Sequence, residues 1–178
     1  AAVIGRSFPL SLLQQLLAAS EAQGLGLLTA LVERQFLVEE AVENEMGFAF
    51  RHALIQEAVY GRLLHRSRRQ IHAAVAAALD QSRFLLPDER TEALAYHYSH
   101  TDEPQRAIPH LVAAAQNADR RSAYETSIQF YRRALALFDP APNPFSLLYS
   151  QVHVGLGKGL KLSGEFAEAR LLQLHGYE

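Results

Sequence analysis

The chain has 178 residues, 49% of them apolar, and a formal net charge of -2. That is enough apolar material for one large domain or two small ones, and the near balance of charge gives no bulk electrostatic sign of a nucleic-acid binder. Cysteine is absent, which excludes a disulfide framework, a thiolate zinc site and a cysteine nucleophile, and fits a reducing, cytoplasmic setting. No apolar run approaches the ~20 residues of a membrane span. No charged leader precedes an apolar stretch at the start.

Pro9 suits the first turn of a helix, and the leucines from Leu10 to Leu17 predict that helix near 9–19. A second helix is expected through Leu25, Leu27, Leu28, Leu31 and Val32, ending near Arg34. Phe36 to Val42 reads as a strand, Glu43 to Gly47 as a turn and Met46 to Phe50 as the return strand. Asn44 and Gly47 are the natural places there for positive φ. Phe48 and Phe50 alternate as on a half-buried strand. Leu54, Ile55, Ala58 and Val59 then recur at helical spacing. That predicts a helix over 52–65, followed by one over 68–81 with Ile71, Val75 and Leu79 on one face.

Pro87 is expected to stop any helix, and Asp88 to cap the next one, over 89–101, with Leu94, Ala95 and Tyr98 inward. Asp102-Glu-Pro104 breaks the chain before helices near 105–119 and 123–138. Asp139-Pro-Ala-Pro-Asn-Pro144 reads as a linker, and helices over 145–162 and 165–174 follow. The start without Met and the stop inside a helical pattern suggest a fragment of a longer protein. The expected fold is mainly α: a winged-helix-like domain with one β-hairpin over 1–82, then a tetratricopeptide-like superhelix over 83–178.

The repeat expectation rests on specific positions. Leu111, Ala115, Ala118, Tyr124, Tyr131, Ala134 and Pro140 fall where the ~34-residue tetratricopeptide pattern puts them, with Ser127 in place of the usual small Ala. Leu156, Gly157, Gly164, Phe166 and Ala169 fit the same template, shifted by the proline-rich insertion. Gly157 and Ala169 are expected where paired helices touch closely. Stacked pairs leave a groove for a protein or peptide partner. Tyr124, Tyr131 and Arg132 are candidates for that groove or for the core beneath it.

Four segments extend the pattern: Val3-Ile-Gly-Arg-Ser-Phe8, Leu31-Val-Glu-Arg-Gln-Phe-Leu37, Phe50-Arg-His-Ala-Leu-Ile-Gln-Glu-Ala-Val-Tyr60 and Arg69-Gln-Ile-His72. In this order they resemble the region after the ATPase core of bacterial signal-transduction ATPases with numerous domains (the STAND class). That class includes proteins with adenylyl cyclase domains and LuxR-type regulators. The resemblance implies a non-catalytic segment of a multidomain ATPase, with an upstream nucleotide-binding domain, ATP or ADP and magnesium in the parent. It also implies a sensor role for His52, with Arg51 beside it. In related proteins the motif reads Met-His-Asp-Leu, and its His contacts the β-phosphate of ADP. Here Ala53 stands in place of the Asp. The competing role for His52 is to cap the helix or pack under the wing.

Other features carry less chemistry. Arg62, His65, Arg66, Arg68 and Arg69 form a basic cluster that could hold a nucleotide phosphate, an acidic neighbouring domain or RNA, or simply form a solvated face near a helix C-terminus. Gly24 to Val32, the helix before the hairpin, offers almost no donors for base edges. Glu39, Glu40, Glu43 and Glu45 on the wing would repel phosphates, which argues against direct DNA binding. Gly155-Leu-Gly-Lys-Gly159 lacks the spacing and the Ser or Thr of a phosphate loop and reads as packing glycines. His97 and His100 are three apart on one helix, but a third ligand is not obvious, with only His72 or His110 as candidates to approach, so no metal is expected. No nucleophile–base arrangement stands out. The alternatives to the ATPase segment are a protein-binding scaffold without nucleotide coupling, and part of a cyclase or transcriptional regulator whose activity lies elsewhere.

Overall fold

A computed structural model describes residues 1–17, 21–42, 45–81, 85–138 and 147–175. It is mainly helical with a small antiparallel sheet, and it divides into two compact units, Ala1–Leu85 and Leu86–Glu178. Among the described residues no helix is long and apolar enough to cross a membrane.

In the first unit, β1 (Ser7–Pro9), α1 (Leu10–Leu17) and α2 (Glu21–Glu33) precede a hairpin of β2 (Leu37–Val42) and β3 (Glu45–Phe50). The strand order is β1-β3-β2. The third strand departs from the expected single hairpin. Pro9 does not open a helix: it closes β1, opposite Gly47. Proline is tolerated there because β1 is an edge strand that can forgo a ladder donor. Gly47 and Ala49 are buried along with Phe48 and Phe50, so residues on both faces of β3 are covered. The simple alternation expected of a half-buried strand is therefore lost. Phe8 faces Phe48 directly across the ladder, ring centroids 6.2 Å apart, and tilts against Phe50. Leu13, Leu28 and Leu37 close this core.

Gly47 is needed for space, not for positive φ. A Cβ there would lie 2.8 Å from the Phe8 carbonyl oxygen and 2.5 Å from a Val42 methyl. Asn44 and Glu43 lie outside the described residues. Positive φ occurs instead at Gln35, where α2 ends. The Phe36 N–H donates to the Leu31 carbonyl at 3.0 Å and the Gln35 N–H to that of Val32. These are the two bonds of a Schellman turn.

The helix expected over 52–65 is shorter, α3 (Ala53–Arg62), and α4 (His65–Gln81) starts early. α3 buries no residue. Leu54 (74% exposed) and Val59 face solvent; Ile55 and Tyr60 pack on the core, and the Gln56 side-chain amide donates to the Ala2 carbonyl at 2.7 Å. On α4, Val75 and Leu79 are buried as expected.

The second unit runs α5 (Pro87–Ser99), a 3-10 turn (Pro104–Ala107), α6 (Ile108–Arg120), α7 (Tyr124–Leu135), α8 (Leu147–Ser163) and α9 (Phe166–His175). The expected linker lies outside the described residues. Pro87 starts α5 instead of stopping a helix, as its fixed φ and missing donor allow. Leu86 takes the cap position, and Asp88 sits inside the first turn. Its carboxylate accepts a 2.6 Å bond from the Asn117 amide on α6. Leu94, Ala95 and Tyr98 are buried as expected.

α6, α7, α8 and α9 pack each on the next, and α6 also reaches α8. Leu111, Ala115, Ala118, Ile128, Tyr131, Ala134, Leu156, Leu160 and Ala169 form the buried seams. The close approach is not at Gly157. A Cβ on Gly155 would overlap the Tyr131 ring, and one on Gly159 would lie 2.9 Å from Ile128. Residue numbers rise along α8 as they fall along α7, so the two helices run antiparallel. At Gly157 a Cβ would meet only Leu172, at an ordinary 3.8 Å.

Candidate functional site

Two places could carry function, one in each unit. The first is the strand–helix junction after β3. The Arg51 N–H donates to the Phe36 carbonyl at 3.0 Å, and the Phe50 N–H to that of Arg6 at 2.9 Å. These bonds fix the backbone from which α3 departs. His52 takes the N-cap position with extended backbone (φ -133°, ψ 135°), yet its side chain makes no capping bond. It is exposed, as is Arg51. Neither structural role expected of His52, capping or packing under the wing, is realised.

The basic cluster is not one patch. Arg62, His65, Arg66 and Arg69 are exposed, but Arg68 folds back. Its guanidinium lies 5.0 Å from the Tyr60 ring centre, a cation–π contact, and its Nε donates to the Leu63 carbonyl at 3.0 Å. Tyr60 in turn bonds through its hydroxyl to His72 Nε2 at 3.0 Å. His72 is 1% exposed, a buried polar residue that sequence reasoning missed as a packing element. Its signal was register: it shares the inward face of α4 with Val75, Ala76 and Leu79.

The second place is a groove of about 560 Å³ in the helical unit. α6 supplies Gln116, Asp119 and Arg120, and α8 supplies Ser150, Gln151, Val154 and Lys158. Tyr131 of α7 forms the floor, where Gly155 leaves room for its ring. The Tyr131 hydroxyl donates to Asp119 Oδ2 at 3.2 Å. Burial, and then the neighbouring Asp119 charge, raise the phenol pKa well above its ordinary value. Asp119 is thereby held against the floor. Tyr131 is 2% exposed and belongs to the core as much as to the groove. Tyr124 lies outside the groove lining. Arg132, the third candidate, is exposed and engaged elsewhere, with Glu168 at 2.6 Å and Glu165 at 3.4 Å.

The remaining candidates do not assemble. His97 is buried, while Nδ1 of His100 bonds the Tyr96 carbonyl at 2.8 Å. Among the described residues no group of three acidic or histidine side chains could hold a metal. Gly155 to Gly159 lie inside α8 as expected of packing glycines. Glu39 and Glu40 are exposed on β2.

No family model matches the chain, and no solved structure matches it. It is 33% identical over 138 residues to an uncharacterized protein of Rhizobium meliloti (strain 1021), a match covering 77% of this chain and 13% of that protein.

Proposed function

We propose that this chain is a regulatory, protein-interaction segment of a multidomain signal-transduction ATPase of the STAND class. A partner bound on the helical unit shifts the state of an upstream nucleotide-binding domain, which holds ATP or ADP and magnesium. The first unit is read as a winged helix and the second as tetratricopeptide-like repeats. The order of helices, hairpin and helix supports the first reading. For the second, the matching ends of α6 and α8 give support, the turn itself being the Schellman form also found at Gln35. Ser122 and Gly164, equivalent in the repeat alignment, both adopt positive φ. Each is flanked by the same pair of bonds, Ala123 N–H to Ala118 and Ser122 N–H to Asp119 in one, Glu165 N–H to Leu160 and Gly164 N–H to Lys161 in the other.

The observation that carries the reading is His52. Its imidazole is exposed just after two residues, Phe50 and Arg51, whose backbone N–H groups are bonded to Arg6 and Phe36, and no capping duty occupies it. An imidazole so placed can donate to a phosphate oxygen on a neighbouring domain. Coupling needs contacts that differ between two states, and a nucleotide phosphate supplies one. The test is His52→Ala in the intact protein. ADP release is expected to speed up and basal activity to rise. Unchanged ADP retention would remove the sensor role, and a parent indifferent to nucleotide would favour the plain scaffold.

A further inference from the structure

The groove in the helical unit says more about its occupant than that it is a partner. Its rim carries two cations, Arg120 and Lys158, against one carboxylate, Asp119, which the Tyr131 hydroxyl holds at the floor. Elsewhere in the unit Arg106, Arg121 and Arg132 each reach a glutamate. Arg120 and Lys158 reach none among the described residues. Arg120 is nonetheless positioned. One guanidinium nitrogen donates to the Asn117 amide oxygen, and the Asn117 amide donates to Asp88 on α5. Its other donors are left for a ligand. The same groove is lined by Val154, an aliphatic side chain 72% exposed. Gln116 and Gln151 add neutral donors and acceptors of the kind that bond a peptide backbone.

We propose that this groove takes an acidic peptide segment, its carboxylates met by Arg120 and Lys158 and an apolar side chain resting on Val154. The inference builds on the reading of the helical unit as a partner-binding module and names the partner's chemistry. A nucleic acid fits less well. Single strands are held by stacking on exposed aromatic faces, and the groove's aromatic residue, Tyr131, is buried. The overall charge of -2 also lacks the basic excess of such binders.

The test is selection of a displayed random-peptide library on the 178-residue chain. The chain is compared with the Arg120→Glu/Lys158→Glu variant and with Val154→Trp, which fills the groove. All three positions are exposed, and circular dichroism checks that the variants fold. Selected peptides should be enriched in Asp and Glu. Their affinity should fall at least about tenfold in the charge-reversed variant, as loss of close charge pairs gives, and should weaken as salt screens the rim. Peptides without acidic enrichment, blocked by Val154→Trp but indifferent to charge reversal, would overturn the acidic chemistry and leave the partner-binding reading standing. If no selected peptide responds to any groove substitution, both fall. A labelled single-stranded oligonucleotide that outcompetes the selected peptides would overturn the peptide occupant.

Discussion

Ser122 holds φ at 58°, in the left-handed region that glycine occupies at no cost. The equivalent turn after α8 uses Gly164, so the same geometry is met once with strain and once without. A β-carbon in this conformation costs about 1 kcal/mol. Ser122→Gly is therefore expected to stabilise the helical unit by a little under that, since glycine also loosens the unfolded chain. Urea denaturation would measure it, and a loss of stability would show that the Ser122 side chain contributes something its backbone conceals. Tyr131 gives a pH-dependent counterpart. Burial, then Asp119, raise its pKa in the folded state above the ordinary 10.0. The folded state thus keeps a proton that the unfolded chain gives up above about pH 10, and stability must fall as pH rises past that point. Phenylalanine has no proton to lose. Tyr131→Phe should cost roughly 1 kcal/mol at neutral pH through the lost hydrogen bond, and the gap should narrow above about pH 10. A gap constant across that range would show that the phenol is not perturbed.

At the scale of elements, the helices were legible wherever apolar residues recur along one face. Ile71, Val75 and Leu79, or Leu94, Ala95 and Tyr98, place their helices from spacing alone because those contacts are close in sequence. β1 was not legible. It is three residues long, and its partner strand lies some forty residues on, so no local period announces it, and Pro9 pointed instead to a helix. Asp88 misled for a related reason: its carboxylate serves Asn117, a residue from another helix. The glycines of α8 show how far spacing can be pushed. Gly155 and Gly159 are four apart and share a face, while Gly157 lies on the opposite one. The pattern therefore held the information that the first and third glycines face one neighbour and the middle one another. It did not say which neighbour comes closest. The candidate site was half legible: Tyr131 and the junction at His52 were named in advance, whereas Arg120 and Lys158 became a pair only through the packing of α6 beside α8. Gly47 makes the element-scale case testable. Its Cβ would press on the Phe8 carbonyl oxygen, which belongs to the backbone of β1 and cannot swing aside. Gly47→Ala should cost about 1–3 kcal/mol, the usual range for overpacking, and should loosen β1 first. Hydrogen exchange at the Phe50 amide, bonded to Arg6, would report it. Unchanged protection there would mean the strand has room that the ladder geometry denies.

At the scale of the whole molecule, each unit contains the means of its own stability. In the helical unit Leu111, Ile128, Leu156 and Leu160 are almost wholly removed from water, and every seam joins helices that are near neighbours in sequence. Such local contacts lower the entropy of closing the fold and favour independent, rapid folding. Asp88, Asn117 and Arg120 complete their bonds within the unit. Residues 86–178 alone should therefore show helical circular dichroism and a cooperative thermal transition. Leu111→Ala in that fragment should then cost about 2–5 kcal/mol, as for a buried leucine whose neighbours cannot fully collapse. For a unit whose total stability is on the order of 5–15 kcal/mol, that loss should be visible as a large fall in midpoint. A fragment that stays unfolded, or one that melts without cooperativity, would mean the helical unit depends on the first unit for its structure. A partner-binding module that signals to a neighbour needs the opposite: it must hold its own shape before anything docks in the groove, or the binding energy is spent on folding it instead of on shifting the state of the rest of the protein.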